Sequence, residues 1–116
     1  GLSSLRILKH LMDLINPEDP PKPCDYFDMI GGTSTGGLIA IMLGRLRMTV
    51  DECITAYEKL SDGIFTKVHH RINWRGEVRG RFDQKALEDC IKGLLVQYGL
   101  SEDALLKDEP KSPCKT

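Results

Sequence analysis

The pentapeptide Gly32-Thr33-Ser34-Thr35-Gly36 is the feature that most restricts how this chain of 116 residues can fold. An apolar segment, residues 25–30, precedes it, and a second, residues 38–43, follows it. A short apolar run without clean alternation is typical of a strand covered on both faces. A segment that is apolar on all sides is typical of a buried helix. The sequence therefore predicts a strand, a sharp turn at Ser34 and a buried helix, which is the context of a nucleophile elbow.

In this context Ser34 is predicted to be a catalytic nucleophile, which needs a nearby base for activation. The turn would push the serine oxygen away from the backbone, and Gly32 and Gly36 would let the chain pack closely on either side. The N–H groups and positive dipole end of the following helix would favour a developing oxyanion. One alternative is a glycine-rich turn with an incidental serine. Another is a phosphate-binding loop, although its G-K-[ST] continuation is absent.

The rest of the chain is predicted to be mostly helical, because apolar residues recur at three- and four-residue steps. A serine at position 3 or 4 should cap the first helix, and Pro17 should end it. Thr49 with Glu52 forms a capping box for a later helix, and Gly99 is predicted to be the left-handed residue that ends the last long helix. The predicted segments are a first helix (1–15), strand, nucleophile elbow and buried helix (25–47), a helix (49–63), a basic loop (66–82), further helices (83–106) and a tail (107–116).

A single predicted strand has two unpaired edges, so it needs neighbours to form a stable sheet. We expect those neighbours to lie before Gly1 and after Thr116, in a longer protein of which this chain is an excerpt. The fold class expected for the complete domain is therefore α/β with a parallel sheet.

Composition argues against several classes of protein. The net charge of −1 does not favour nucleic-acid binding. No apolar run approaches the roughly 18 residues needed to span a bilayer, and no secretory signal is visible. The four cysteines lack C-x-x-C spacing, so we expect no metal site, and reduced thiols in an intracellular protein. Trp74 within the basic loop suggests peripheral membrane contact, with an ordinary solvated loop as the alternative.

Residues 25–37, Asp-Tyr-Phe-Asp-Met-Ile-Gly-Gly-Thr-Ser-Thr-Gly-Gly, resemble the nucleophile segment of patatin-like phospholipases, a family that includes calcium-independent phospholipases A2. Residues 1–5 resemble the start of the family's first helix, and the final helix with the tail is similar to fungal-type members. The resemblance implies a three-layer α/β/α domain without a metal or organic cofactor. It also implies hydrolysis of an acyl ester in a glycerolipid or phospholipid, by a cytoplasmic or membrane-peripheral enzyme.

The resemblance further implies a Ser–Asp dyad, in which Ser34 is the nucleophile. The expected oxyanion donors are Gly1, as the last glycine of the family's D-G-G-G-x-R-G loop, and Thr35. No Asp-Gly-Gly or Asp-Gly-Ala motif matches the family's aspartate in place, and the pair Asp62-Gly63 is predicted to end a helix. The expected site residues are therefore Ser34 as nucleophile, with the elbow formed by Gly32, Thr33, Thr35 and Gly36.

With only the nucleophile half of the dyad, the chain alone is expected to be inactive, and further domains are expected in the full-length protein. Two alternatives remain open from the sequence. The first is an α/β-hydrolase-type esterase with a Ser-His-Asp triad, for which His69 and His70 come early after the serine. The second is a catalytically inactive interaction module.

Overall fold

A computed structural model describes residues 1–69, 79–104 and 112–116, and most of these residues are helical. The chain divides into two units, Gly1–Tyr57 with Leu105–Thr116, and Glu58–Ala104. The helices, in chain order, are α1 (Leu2–Ile15), α2 (Pro23–Tyr26), α3 (Thr35–Ala40), a π-helix (Ile41–Arg45) that continues α3, α4 (Val50–His69) and α5 (Arg79–Gln97). In the described part of the chain, no helix is long and apolar enough to cross a membrane.

The first helix ends where the sequence predicts. Asn16 is extended, and its side-chain oxygen accepts hydrogen bonds from the N–H groups of Glu18 and Asp19, each at 3.2 Å. The start differs from the expectation of a serine cap, because Gly1 is the N-cap and no side chain caps the helix. The buried side of α1 carries Leu5 and Met12.

The strand predicted over residues 25–30 is not formed. Pro23 begins the short helix α2 instead, because a proline at the first helical position loses no hydrogen bond. Among the residues that the structure describes, extended pairing is limited to an isolated parallel bridge between Met29 and Lys115. The Ile30 N–H donates to the Lys115 carbonyl and the Lys115 N–H donates to the Asp28 carbonyl, both at 2.8 Å. A parallel partner for the segment before the elbow therefore lies within this chain, at its end.

The buried helix predicted after Ser34 is present as α3 and the π-helix. Leu38, Met42 and Leu43 are buried there, and burying each such side chain is worth about 1.5–3 kcal/mol. A Cβ atom at Gly44 would lie 2.3 Å from Oγ1 of Thr116, so glycine lets the chain end pass close to the π-helix. The π-helix after Ser34 therefore lies against Thr116, next to Lys115, which pairs with Met29.

The capping box predicted at the start of α4 is confirmed. The Glu52 N–H donates to Oγ1 of Thr49 at 3.1 Å, and the Thr49 hydroxyl donates to Oε1 of Glu52 at 3.1 Å. The helix does not end at Asp62-Gly63 but continues to His69, so the first residues of the predicted basic loop are helical. Residues 70–78 of that loop, including His70 and Trp74, lie outside the described residues.

The second unit contains the end of α4 and all of α5. Helix α5 begins at Arg79, before the predicted start at residue 83, and ends at Gln97. Gly99 has φ +78°, which confirms the left-handed terminating residue expected there. Leu94 and Leu95 are buried. A turn follows, in which the Ala104 N–H donates to the Ser101 carbonyl at 3.0 Å.

Candidate active site

The backbone of Ser34 has an unusual conformation. Its φ is +56° and its ψ is −128°, a region that residues with a side chain rarely adopt. Such a conformation costs on the order of 1–3 kcal/mol and persists only where the surrounding structure enforces it. Ser34 is solvent-exposed and immediately precedes α3. The strain places the serine on the outside of the turn, at the N-terminus of a helix.

Three backbone hydrogen bonds close the turn around Ser34. The Gly36 N–H donates to the Thr33 carbonyl at 2.9 Å, and the Gly37 N–H donates to the Ser34 carbonyl at 3.0 Å. The Leu38 N–H also donates to the Ser34 carbonyl, at 3.4 Å. Because the carbonyl of Ser34 accepts the first helical bonds, its peptide group is fixed to the helix while its side chain is not. This arrangement orients the hydroxyl without using it as a helix cap.

The two glycines of the motif have different roles in the turn. A Cβ atom at Gly32 would lie 2.3 Å from the carbonyl oxygen and 2.4 Å from the carbonyl carbon of Gly36. Backbone atoms cannot move away as a side chain can, so residue 32 must be glycine. A Cβ atom at Gly36 would meet nothing within 4 Å. Close packing therefore explains Gly32, and it does not explain Gly36.

The expected oxyanion residue Gly1 lies against Tyr57 of α4. The three atoms nearest to a Cβ built at Gly1 all belong to Tyr57, with its hydroxyl oxygen at 2.2 Å and Cζ at 2.7 Å. The contact explains why a residue without a side chain suits the start of α1. The other expected donor, Thr35, is adjacent to Ser34 as the first residue of α3.

Two residues that could serve as a base, His10 and Asp62, lie on helices. His10 is exposed on α1. Asp62, which was expected at a helix end, lies within α4. In the described residues, no group of three or more His, Cys, Asp or Glu side chains is placed to hold a metal ion. Cys53 is unsuited to nucleophilic chemistry, because burial raises the pKa of its thiol to about 12.

A second residue near the elbow, Arg47, also has an unusual backbone conformation, which no sequence pattern predicts. Arg47 has φ +55°, and Arg47 and Ser34 are the non-glycine residues with positive φ among those described. A left-handed residue after a helix is usually glycine, and another residue there costs roughly 1–2 kcal/mol. The Arg47 guanidinium pairs with Oδ1 of Asp25 at 2.7 Å, with both side chains about half exposed. Exposed pairs contribute about 0–1 kcal/mol, so this pair offsets only part of the strain.

Little in the sequence indicates the positive φ of Arg47 or its ion pair with Asp25. A basic residue near the end of a helix is ordinary, because it faces the negative end of the helix dipole. Only glycine or asparagine would have indicated a left-handed residue at position 47. The ion pair joins residues that are 22 positions apart, which no local pattern predicts.

Comparisons with known proteins agree on one family. A family model described as patatin-like phospholipase matches residues 1–112. Phospholipase A I of Arabidopsis thaliana is 35% identical over 105 residues, which cover 90% of this chain and 8% of that protein. Calcium-independent phospholipase A2-gamma of Rattus norvegicus is 40% identical over 68 residues, covering 58% of this chain and 8% of that protein.

A shorter relative matches nearly the whole chain. Patatin-07 of Solanum tuberosum is 30% identical over 109 residues, which cover 87% of this chain and 27% of that protein. The chain thus spans 8% to 27% of the length of these relatives. No solved structure gives a significant match.

Proposed function

Because this chain belongs to the patatin-like phospholipase family, we propose that it carries the nucleophile of a lipid acyl hydrolase. The backbone conformation of Ser34 is the single observation that carries the proposal, since strain at an exposed serine before a helix suits an elbow and not an incidental turn. The names of the relatives, phospholipases and patatins, support a glycerolipid or phospholipid as the substrate.

In the proposed reaction Ser34 attacks the carbonyl carbon of an acyl ester. Its proton passes to a base, which we propose is an aspartate elsewhere in the full-length protein, and an acyl-enzyme forms as the alcohol leaves. Water then attacks the acyl-enzyme and releases the fatty acid. The N–H groups of Thr35 and Gly1 are the proposed oxyanion donors. With the base outside these residues, the chain alone is proposed to be inactive.

We propose that the bridge between Met29 and Lys115 is part of a central parallel sheet in the complete α/β/α domain. Residues 28–30 would then form the strand that leads into the elbow, and residues 114–116 would begin its neighbour. Apolar side chains exposed on α1 support further packing from the rest of the protein, because large apolar patches mark surfaces that something covers. They are Ile7, at 72% exposure, Leu14, at 67%, Leu11 and Ile15.

The proposed enzyme needs no metal or organic cofactor, in keeping with the calcium-independent relative. We propose that it acts on lipid at a membrane surface, as a cytoplasmic protein or as a peripheral membrane protein. The basic segment around Trp74 is the part of the chain that we propose contacts the membrane.

Reaction with a fluorophosphonate probe, followed by mass spectrometry, tests the proposal on the full-length protein. We expect labelling at Ser34, its loss in Ser34→Ala, and no change in Ser101→Ala, a matched exposed serine. Fatty-acid release from phosphatidylcholine vesicles should follow the same pattern. A folded full-length protein that is neither labelled nor active would refute the proposal and leave an inactive interaction module.

Replacement of the histidines separates a dyad from a triad. A Ser–Asp dyad contains no histidine, so the variants His10→Ala, His69→Ala and His70→Ala should keep the labelling rate within about threefold of wild type. Each variant needs a thermal unfolding measurement to show that it folds. Loss of labelling by about 10³-fold or more in a folded histidine variant would favour the triad esterase.

A further inference from the structure

The helical segment that begins after Ser34 has a left-handed non-glycine residue at each of its ends. Ser34 precedes α3, and Arg47 follows the π-helix after Leu46. The Leu46 N–H donates to the Ile41 carbonyl at 2.9 Å, and the Met48 N–H donates to the Met42 carbonyl at 3.1 Å. These bonds end the helix and return the chain past it, which places Arg47 on the turn.

The side chain of Arg47 reaches the residues that enter the elbow. Its Nη2 atom lies 2.7 Å from Oδ1 of Asp25, which belongs to α2, and α2 packs against the π-helix. Cys24, adjacent to Asp25, is buried in the same region. Burial raises the pKa of the Cys24 thiol, while the charge of Arg47 acts in the opposite direction. The ion pair therefore connects the chain before the elbow with the chain after its helix.

Stability alone does not account for an arginine at this turn. Glycine would terminate the helix without backbone strain, and an exposed ion pair offsets only part of that strain. Backbone strain that no stabilising interaction fully offsets indicates that the residue has a role in function. The candidate role is geometric, since the pair limits how the entering chain can rotate relative to the helix that carries the serine.

We infer that Arg47 and Asp25 are positioning residues for Ser34, which together hold the two flanks of the elbow in register. The inference rests on the proposed function for its kinetic consequence, because it assumes that Ser34 reacts. Breaking the pair relaxes the turn and misplaces the hydroxyl, and small misplacements of a reacting group reduce rates strongly. Binding of the probe depends on other contacts and stays the same.

The rate of fluorophosphonate labelling in the full-length protein provides the kinetic test. We expect Asp25→Asn and Arg47→Gln each to lower the maximal labelling rate by about three- to tenfold, with the half-saturating probe concentration unchanged. The double variant should be no slower than either single variant, because both remove one interaction. The charge reversal Asp25→Arg with Arg47→Asp should recover most of the rate.

Lys9→Gln is the matched control, because it breaks another exposed ion pair in the same unit, between Lys9 and Asp51. It should leave the labelling rate unchanged. Equal rates for wild type and Asp25→Asn would overturn the inference, as would additive losses in the double variant. Full loss of the labelling rate in these variants, with a matching fall in melting temperature, would mean that the pair has a merely structural role. That result would also overturn the inference.

A second measurement tests the inference even if the wild-type serine does not react. Hydrogen–deuterium exchange of a peptide covering residues 32–38 reports the bonds from Gly36, Gly37 and Leu38 that close the turn. We expect faster exchange in Asp25→Asn and Arg47→Gln than in wild type or Lys9→Gln. Unlabelled wild type with faster exchange in the variants would refute the proposed function and keep the positioning role. Unchanged exchange would overturn the positioning role.

Discussion

Ser34 and Arg47 share a positive φ at opposite ends of one helical segment, but for different reasons. Ser34 has φ +56° and Arg47 has φ +55°. At Ser34, the strain is enforced by the glycine beneath the turn and by the bonds that close it. At Arg47, the backbone ends a helix, and the side chain forms an ion pair with Asp25.

A positive φ alone does not indicate the function of a residue, because the function depends on what its side chain contacts. The side chain of Ser34 makes no capping hydrogen bond, so the strained turn presents a hydroxyl to solvent. The side chain of Arg47 is engaged, so its turn serves the structure around the elbow. One residue is thus proposed to react, and the other to position it.

Replacing Ser34 by glycine should have the largest effect of these variants. It should remove the reactive hydroxyl and at the same time relieve the backbone strain. We expect the labelling and hydrolysis rates of the full-length protein to fall by at least about 10³-fold, because the nucleophile is gone. The free energy of unfolding should rise by about 0.5–1 kcal/mol, because glycine adopts a positive φ without strain. Enzyme assays and urea denaturation measure the two effects. A fall in stability would show that the serine side chain stabilises the turn.

Alanine at Gly32 should test whether the turn enforces the conformation of Ser34. Its Cβ would overlap backbone atoms of Gly36, so we expect a loss of about 1–3 kcal/mol in stability together with loss of labelling. Gly36→Ala is the matched control, since its Cβ has open space and alanine favours a helix. Urea denaturation should show Gly36→Ala within about 1 kcal/mol of wild type, or more stable. Equal destabilisation of both variants would contradict this account of the turn.

Glycine at position 47 should have the smallest effect on stability. Relief of backbone strain is worth roughly 1–2 kcal/mol. Loss of the exposed ion pair costs about 0–1 kcal/mol, and the greater freedom of glycine in the unfolded chain costs roughly another 0.5–1 kcal/mol, so the changes nearly cancel. Urea denaturation should therefore place Arg47→Gly within about 0.5 kcal/mol of wild type. A loss above about 1.5 kcal/mol would mean that the ion pair stabilises the fold far more than an exposed pair normally does.

The features predicted correctly from the sequence are those set by neighbouring residues. Proline after Asn16 ends α1, Thr49 with Glu52 caps α4, and Gly99 is left-handed after α5. Each depends on hydrogen bonds or steric limits within a few positions along the chain. The buried helix after Ser34 is also predicted correctly, because a helix that is apolar on all sides is stable only when other parts of the protein bury it.

The errors arose where a local pattern admits two outcomes. Residues 25–30 are short and apolar, so they fit a strand as well as a helix that Pro23 can start, and α2 formed over the first of them. Asp62-Gly63 resembled a helix end, but α4 passes through it. A single glycine costs a helix only about 1 kcal/mol, which packing or further helical residues readily offset.

The sequence by itself determined the chemistry offered at the elbow: a serine between glycines, before a segment that must be buried, in a chain that belongs to the patatin-like phospholipase family. Tertiary structure decided the contacts between distant residues. It paired Met29 with Lys115, set Gly1 against Tyr57 and brought Arg47 to Asp25. Local patterns cannot specify such contacts, because their energy depends on which surfaces meet once the chain has folded.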